Sequence, residues 1–203
     1  FAKQLQAIDP QALFGIDHFQ RHLNNPLLSS DWLQVSLNNQ LTNLDGDCLW
    51  KMVQRKKLVF IDKQKIQTAL LQGAAVVLEG LDILDPKINQ LLADVDNLFP
   101  CALSNAEGFF SQKGNEAYTG HRDSDDVLVI QISGRKHWHV HHPQQRRYFG
   151  NTPLSKEQMG PVLAEFDLNP GAVHARWRAL RPHATSELHF AGAGLHCYLI
   201  PHA

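Results

Sequence analysis

The second half of the sequence consists of short, strand-like segments separated by turn residues. Glycine or proline lies between most of these segments. Many short strands with such turn signals are typical of a sandwich or a jelly-roll barrel. We therefore predict strands over seven segments: Gly108–Ser111, Val127–Ile132, His137–His141, Val162–Phe166, Val173–Trp177, Glu187–Phe190 and Leu195–Ile200.

The residue pattern of the first half of the sequence predicts three helices and one short strand. Aspartate as an N-cap and proline at the first helical position mark where helices begin. The predicted elements are a helix from Asp9-Pro10 through about Leu23, a helix over Lys63–Gln72, a strand over Ala74–Leu78 and a helix from Asp85-Pro86 to Phe99-Pro100. We expect residues 1–100 to pack on a barrel formed by residues 101–203 and to share its core, so that residues 1–203 form one domain.

Composition excludes several classes of protein. A chain of 203 residues with a net charge of −1 fits one globular domain and lacks the strongly basic face of a dedicated nucleic-acid binder. No apolar run approaches the 18 residues that a membrane-spanning helix needs, and the first residues lack a signal-peptide pattern. The three cysteines show no disulfide or zinc spacing. We expect a cytoplasmic protein with no direct nucleic-acid or membrane partner.

Histidine is the unusual residue of this chain. Ten of the twelve histidines lie in the 83 residues that begin at His121. His121 and Asp123 are two residues apart, a spacing that on a strand points both side chains to one face. With a third ligand they can form the 2-His-1-carboxylate site of non-haem iron enzymes, which leaves coordination positions open. A His-x-Asp pair alone is common, and by itself it more often indicates a surface aspartate beside a partly buried histidine.

The residues after this pair make the pattern far more specific. The chain here resembles the cupin-like JmjC oxygenases, in particular the branch that includes the ribosomal oxygenases. The resemblance covers about residues 55–200, and Gln72–Gly80 fits the strand that leads into the family's barrel more loosely. The positions that match the family pattern are His121, Asp123, Asp126, Val127, Gln131, Gly134, Arg135, Lys136 and Trp138.

The resemblance implies a mainly β fold with flanking helices, built around a double-stranded β-helix. It also implies an Fe(II) site in which His121, Asp123 and His183 are the metal ligands and the catalytic residues. His189 is the rival for the third ligand, with His174 after it. The stretch before His183 departs from the family pattern, which leaves this choice open.

The resemblance further implies that 2-oxoglutarate and dioxygen are co-substrates. Lys136 falls on the position of the basic residue that holds the distal carboxylate of 2-oxoglutarate, and Ser111 can add a hydroxyl hydrogen bond. Tyr118 is a candidate substrate contact and equally a packing residue. The implied reaction is hydroxylation of an unactivated carbon in a protein or peptide side chain or a small metabolite. The sequence leaves the substrate and the oligomeric state open.

Two other classes of function and a second site stay under consideration. A non-catalytic cupin-like binding module would explain the altered stretch before His183, and a cupin enzyme that uses another metal is a further alternative. On the predicted strand His137–His141, the three alternate histidines share one face. They can form a second metal site, although such a face is more often simply polar and solvated.

Overall fold

The computed structural model describes residues 9–26, 28–38, 40–42, 45–98, 104–111, 121–122, 126–141, 152–153, 159–176 and 195–200. Within them the helices are α1 (Pro10–Phe14), α2 (Ile16–Leu23), α3 (Lys63–Leu71), α4 (Leu81–Leu84) and α5 (Pro86–Leu98). The strands are β1 (Leu33–Leu37), β2 (Gln40–Leu41), β3 (Asp45–Val53), β4 (Lys56–Ile61), β5 (Ala75–Leu78), β6 (Ser104–Phe110), β7 (His121–Arg122), β8 (Asp126–Gln131), β9 (Lys136–His141), β10 (Thr152–Pro153), β11 (Val162–Leu168), β12 (Val173–Arg176) and β13 (Leu195–Ile200).

Most of these strands belong to one large mixed sheet. In the described part of the chain it has seven strands, in the order β12-β8-β13-β6-β5-β1-β2. Strand β13 runs parallel to both of its neighbours, β6 and β8, while the other pairs are antiparallel. Three two-stranded antiparallel pairs accompany it: β9 with β11, β7 with β10, and β3 with β4.

The three predicted helices begin where the sequence predicts, one of them is divided in two, and α4 is an addition to the prediction. Asp62 accepts a hydrogen bond from the backbone amide of Gln64 at the start of α3, and Asp85 accepts one from Lys87 at the start of α5. The helix predicted from Asp9-Pro10 through about Leu23 is wrong as a single element. Gly15 adopts an extended conformation, with φ −72° and ψ 176°, and divides it into α1 and α2.

Six of the seven strands predicted in the second half are present, five of them with similar bounds, while β6 begins four residues before the predicted Gly108–Ser111. Strand β11 extends two residues beyond its prediction, and the predicted strand Glu187–Phe190 lies outside the described residues. The structure adds strands that the sequence analysis missed: β1, β2, β3, β4, β7 and β10. No described helix combines the length and the apolar character needed to cross a bilayer.

Strands β5, β6 and β8 of the large sheet are covered on both faces. One face packs against the helices in a core that includes Phe14, Phe19, Val76 and Leu128. Because side chains alternate along a strand, the neighbouring residues of the same strands point the other way. On that second face lies a smaller core, in which residues of the large sheet meet residues of the β9–β11 pair: Ala75, Val77, Phe109, Val127, Val129, Trp138, Phe166 and Leu168.

Candidate active site

The predicted iron ligands lie mostly outside the part of the chain that the structure describes. His121 begins β7, where its backbone pairs with Pro153 of β10, and nothing is described of its side chain. Asp123, His183, Tyr118 and the rival ligand His189 are outside the described residues. The metal site therefore stays a prediction.

His174, the third candidate for the last ligand, has a described backbone. It lies on β12 and pairs with Val129 of β8. This position puts residue 174 on the large sheet, at the strand next to the one that follows His121 and Asp123 in the sequence.

A tight turn connects β8 of the large sheet to β9 of the β9–β11 pair. Strand β8 ends at the fully buried Gln131, whose side-chain amide donates to the carbonyl of Ser133 at 2.7 Å. Gly134 then takes a positive φ of 64°, a conformation that glycine adopts without a steric penalty. This turn fixes where β9 begins, and so it fixes the position of Lys136.

Lys136 lies on the inner face of the β9–β11 pair. It is half-buried, alternates with the exposed His137, and is opposite the buried Leu168 of β11. Its Nζ atom lies 5.3 Å from the centre of the Trp138 ring, within the range of a cation–π contact. The ammonium group thus shares a face with Trp138, whose ring packs into the smaller core between the two sheets.

Ser111 lies on the wall that faces this strand pair. It directly follows β6 and is only 2% exposed. Phe109 packs into the smaller core and Phe110 into the larger one, so the alternation puts Ser111 on the side of Phe109. The structure therefore directs Lys136 and Ser111, the two predicted 2-oxoglutarate contacts, toward the same space between the sheets.

A buried hydrogen-bond donor also lies on this inner face. The indole Nε1 of Trp138 is buried and has no hydrogen-bond partner among the described residues. An unpaired buried donor is costly unless an acceptor satisfies it. An ammonium and an indole N–H on one inner wall, with a hydroxyl on the opposite wall, are a donor set that fits a carboxylate.

The opposite face of β9 carries exposed histidine side chains. His137 and His139 are exposed there, as the sequence predicts, and their rings meet edge to face with centres 4.7 Å apart. Glu165 and Asp167 of β11 lie beside them. These two carboxylates were not predicted from the sequence, although Glu165 and Asp167 alternate on β11 just as the histidines do on β9.

Comparison with known proteins identifies the region around these strands. The JmjC domain family model matches residues 83–174, which is 92 of the 203 residues. The match includes His121, Asp123 and Lys136 and stops before His183. It confirms the resemblance to the JmjC oxygenases, and the jelly-roll fold that a JmjC domain implies agrees with the mainly β structure.

Curated relatives match over a similar part of the chain. Three of them are called bifunctional lysine-specific demethylase and histidyl-hydroxylase NO66. The Aedes aegypti protein is 22% identical over 90 residues, 42% of this chain and 14% of that protein. Those of Drosophila persimilis and Drosophila mojavensis are 26% and 28% identical over 45% and 43% of this chain. The chain spans only 10 to 14% of the length of these relatives.

Proposed function

We propose that this chain is an Fe(II)- and 2-oxoglutarate-dependent oxygenase that hydroxylates an unactivated carbon. The observation that carries the proposal is the position of Lys136. Within the JmjC match, this residue lies on the inner face of β9 beside the buried indole of Trp138, and Ser111 lies on the facing wall. An anion held beside this half-buried ammonium group would stabilise its charge.

Lys136 would bind the distal carboxylate of 2-oxoglutarate. Its ammonium supplies the charge, and Ser111 supplies a hydroxyl donor from the opposite wall. The ring of Trp138 shields one side of the ammonium from water, which strengthens its attraction to a carboxylate. These contacts would orient the co-substrate so that its other end points toward the metal ligands.

His121 and Asp123 would bind the iron together with His183, and His189 is the alternative third ligand. Two imidazoles and one carboxylate leave three positions open for the co-substrate and dioxygen. Bound iron supplies the redox chemistry that couples oxidative decarboxylation of 2-oxoglutarate to substrate hydroxylation. The protein itself would hold the reacting groups in place and keep water out of the space between the sheets.

A protein or peptide side chain is the favoured substrate class. The matched relatives are named for activity toward lysine and histidyl residues, and this supports a protein substrate over a small metabolite. Tyr118, three residues before His121, is the proposed substrate contact. We further propose a double-stranded β-helix as the complete fold of the core.

Binding of 2-oxoglutarate to variants of Lys136 tests this proposal. Removing one partner of a buried charge pair costs about 2 kcal/mol or more, so Lys136→Ala should bind 2-oxoglutarate at least about 30-fold more weakly. Lys136→Arg keeps the charge and should retain part of the affinity. Anaerobic calorimetry with Fe(II)-loaded protein measures this directly.

Lys51 provides the matched control, because it is an exposed lysine on β3. Lys51→Ala should bind 2-oxoglutarate as the wild type does. Circular dichroism checks that each variant is folded. Equal affinity of the wild type and a folded Lys136→Ala would contradict the proposed role of Lys136.

A further inference from the structure

The outer face of the β9–β11 pair holds metal-ligating side chains that the proposed oxygenase site does not use. His137 lies opposite Asp167, and His139 lies opposite Glu165. Because alternate residues on a strand share a face, all four project away from Trp138 and from the space between the sheets. We call His137, His139, Glu165 and Asp167 the outer cluster.

The distances in the outer cluster are close to those of a metal site. The Nε2 atom of His137 lies 3.0 Å from Oε1 of Glu165, and Nε2 of His139 lies 3.7 Å from the same oxygen. One ligand atom from each of these three residues lies within 4.8 Å of the others. Ligand atoms on a tetrahedral zinc ion are about 3.4 Å apart, given bonds of about 2.1 Å. The side chains are about half exposed, so small rotations can bring them to this spacing.

Asp167 makes the contact to His137 that a carboxylate commonly makes to a metal-binding histidine. Its Oδ1 lies 2.7 Å from Nδ1 of His137, and Arg135 lies 3.7 Å from its Oδ2. A histidine that binds a metal usually donates its other ring N–H to a carboxylate, which fixes the tautomer and the ring orientation. This hydrogen bond leaves Nε2 of His137 as the nitrogen that faces Glu165 and His139.

Without a metal, a proton can occupy the same position between the side chains. The hydrogen bond to Asp167 raises the pKa of His137, desolvation acts in the opposite direction, and the hydrogen bond to Glu165 raises it again. A protonated His137 donates to both carboxylates. A divalent cation that replaces the Nε2 proton would bridge His137 and Glu165 and release this proton to solvent.

We propose that the outer cluster binds one divalent transition-metal ion, with Zn²⁺ as the best match, through His137, His139 and Glu165. Two imidazoles and one carboxylate are a common donor set for zinc, and a water molecule completes the tetrahedron. Asp167 positions His137 and does not contact the ion. This site is separate from the proposed iron site, since its ligands lie on the face of β9 opposite Lys136 and Trp138.

A metal in this site would link β9 to β11. Two ligands come from β9 and one from β11, so the ion ties together the strand pair that carries Lys136. Any ligand that binds only the folded protein raises its stability by mass action. We therefore expect zinc to raise the thermal unfolding midpoint.

Zinc titration against a chromophoric chelator tests the proposal. The measurement uses a His121→Ala background, which removes one ligand of the proposed iron site, so that the outcome does not depend on the proposed oxygenase function. This protein should bind one equivalent of Zn²⁺. His139→Gln and Glu165→Gln should each lose that equivalent, and Asp167→Asn should bind it about 10- to 100-fold more weakly.

His141→Gln is the matched control, because His141 lies on the same face but its Nδ1 donates to the carbonyl oxygen of Gly160 at 2.8 Å. It should keep the zinc equivalent. Zinc should raise the unfolding midpoint of the background protein and of His141→Gln, and leave that of Glu165→Gln unchanged. Equal zinc affinity in the background protein, His139→Gln and Glu165→Gln would overturn the proposal.

Discussion

Lys136 and Asp85 differ in how much of their placement local sequence predicts. Lys136 reaches the interior because strand alternation puts it on the same side as Trp138, and that placement follows from sequence once β9 is recognised. Asp85 is different. Its capping of α5 is predictable from the Asp-Pro pair, but its contact with His22, 63 positions away in sequence at 3.1 Å, is not.

Replacement of Asp85 should destabilise the protein. The buried carboxylate accepts from the backbone amides of Lys87 and Ile88 and contacts His22 of α2, so it both caps α5 and joins it to another helix. Asp85→Ala should lower the free energy of unfolding by about 1–3 kcal/mol. Asp62→Ala, at the exposed cap of α3, is the control and should cost less. Urea unfolding measures both, and an equal loss in the two variants would contradict the role of the His22 contact.

The stability contributed by Asp85 should also depend on pH. Burial alone would raise the pKa of this carboxyl, but the hydrogen bonds from His22, Lys87 and Ile88 outweigh it, and the net pKa is lowered. A lowered pKa in the folded state means that the contribution is present above the ordinary pKa of aspartate and is lost as the pH falls through the lowered value. The difference in unfolding free energy between wild type and Asp85→Asn should therefore shrink below about pH 4. A constant difference down to low pH would contradict this.

The sequence predicted the bounds of single helices and strands correctly where the residues that mark an element lie within it or directly beside it. Helix α3 begins after its aspartate cap, and β13 has the predicted bounds. The β3–β4 hairpin was missed because its turn lacks glycine and asparagine. Gln54 and Arg55 both have positive φ, at 45° and 70°, where hairpin turns usually carry Asn-Gly. The surrounding structure thus imposes on Gln54 and Arg55 a backbone conformation that these residue types disfavour.

Glycine in this turn should stabilise the hairpin. A non-glycine residue in the left-handed region costs roughly 1 kcal/mol, and Arg55 has φ 70°. Arg55→Gly should raise the free energy of unfolding by up to about 1 kcal/mol. Lys51→Gly, inside β3, is the control: it should lower the free energy of unfolding, because glycine weakens strand interiors. A loss of stability in Arg55→Gly would show that the turn does not impose this strain.

For the whole molecule, the sequence predicted the class of the fold better than its details. A mainly β structure with flanking helices follows from turn spacing and helix caps, and the JmjC match agrees with it. Strands β5, β6 and β8 of the large sheet are buried on both faces, which no single strand pattern reveals. The outer cluster depends on the pairing of 137–139 with 165–167, so the histidine face was predictable but its carboxylate partners were not.

The proposed oxygenase site depends on groups that lie far apart in sequence, and it includes the third ligand, whose choice the motif alone leaves open. His121 and Asp123 lie within the JmjC match, whereas His183 and His189 follow it. A direct measurement of the bound iron and co-substrate therefore tests the function and the ligand set together.

The most direct test is anaerobic titration of the metal-free protein with Fe(II) and 2-oxoglutarate, followed through the weak visible charge-transfer band of this chelate. Wild type and His189→Ala should give the band, and His183→Ala should not. A band that persists in His183→Ala and vanishes in His189→Ala would assign the third ligand to His189 and contradict the choice of His183. Absence of both the band and 2-oxoglutarate binding in the folded wild type would contradict the oxygenase function itself.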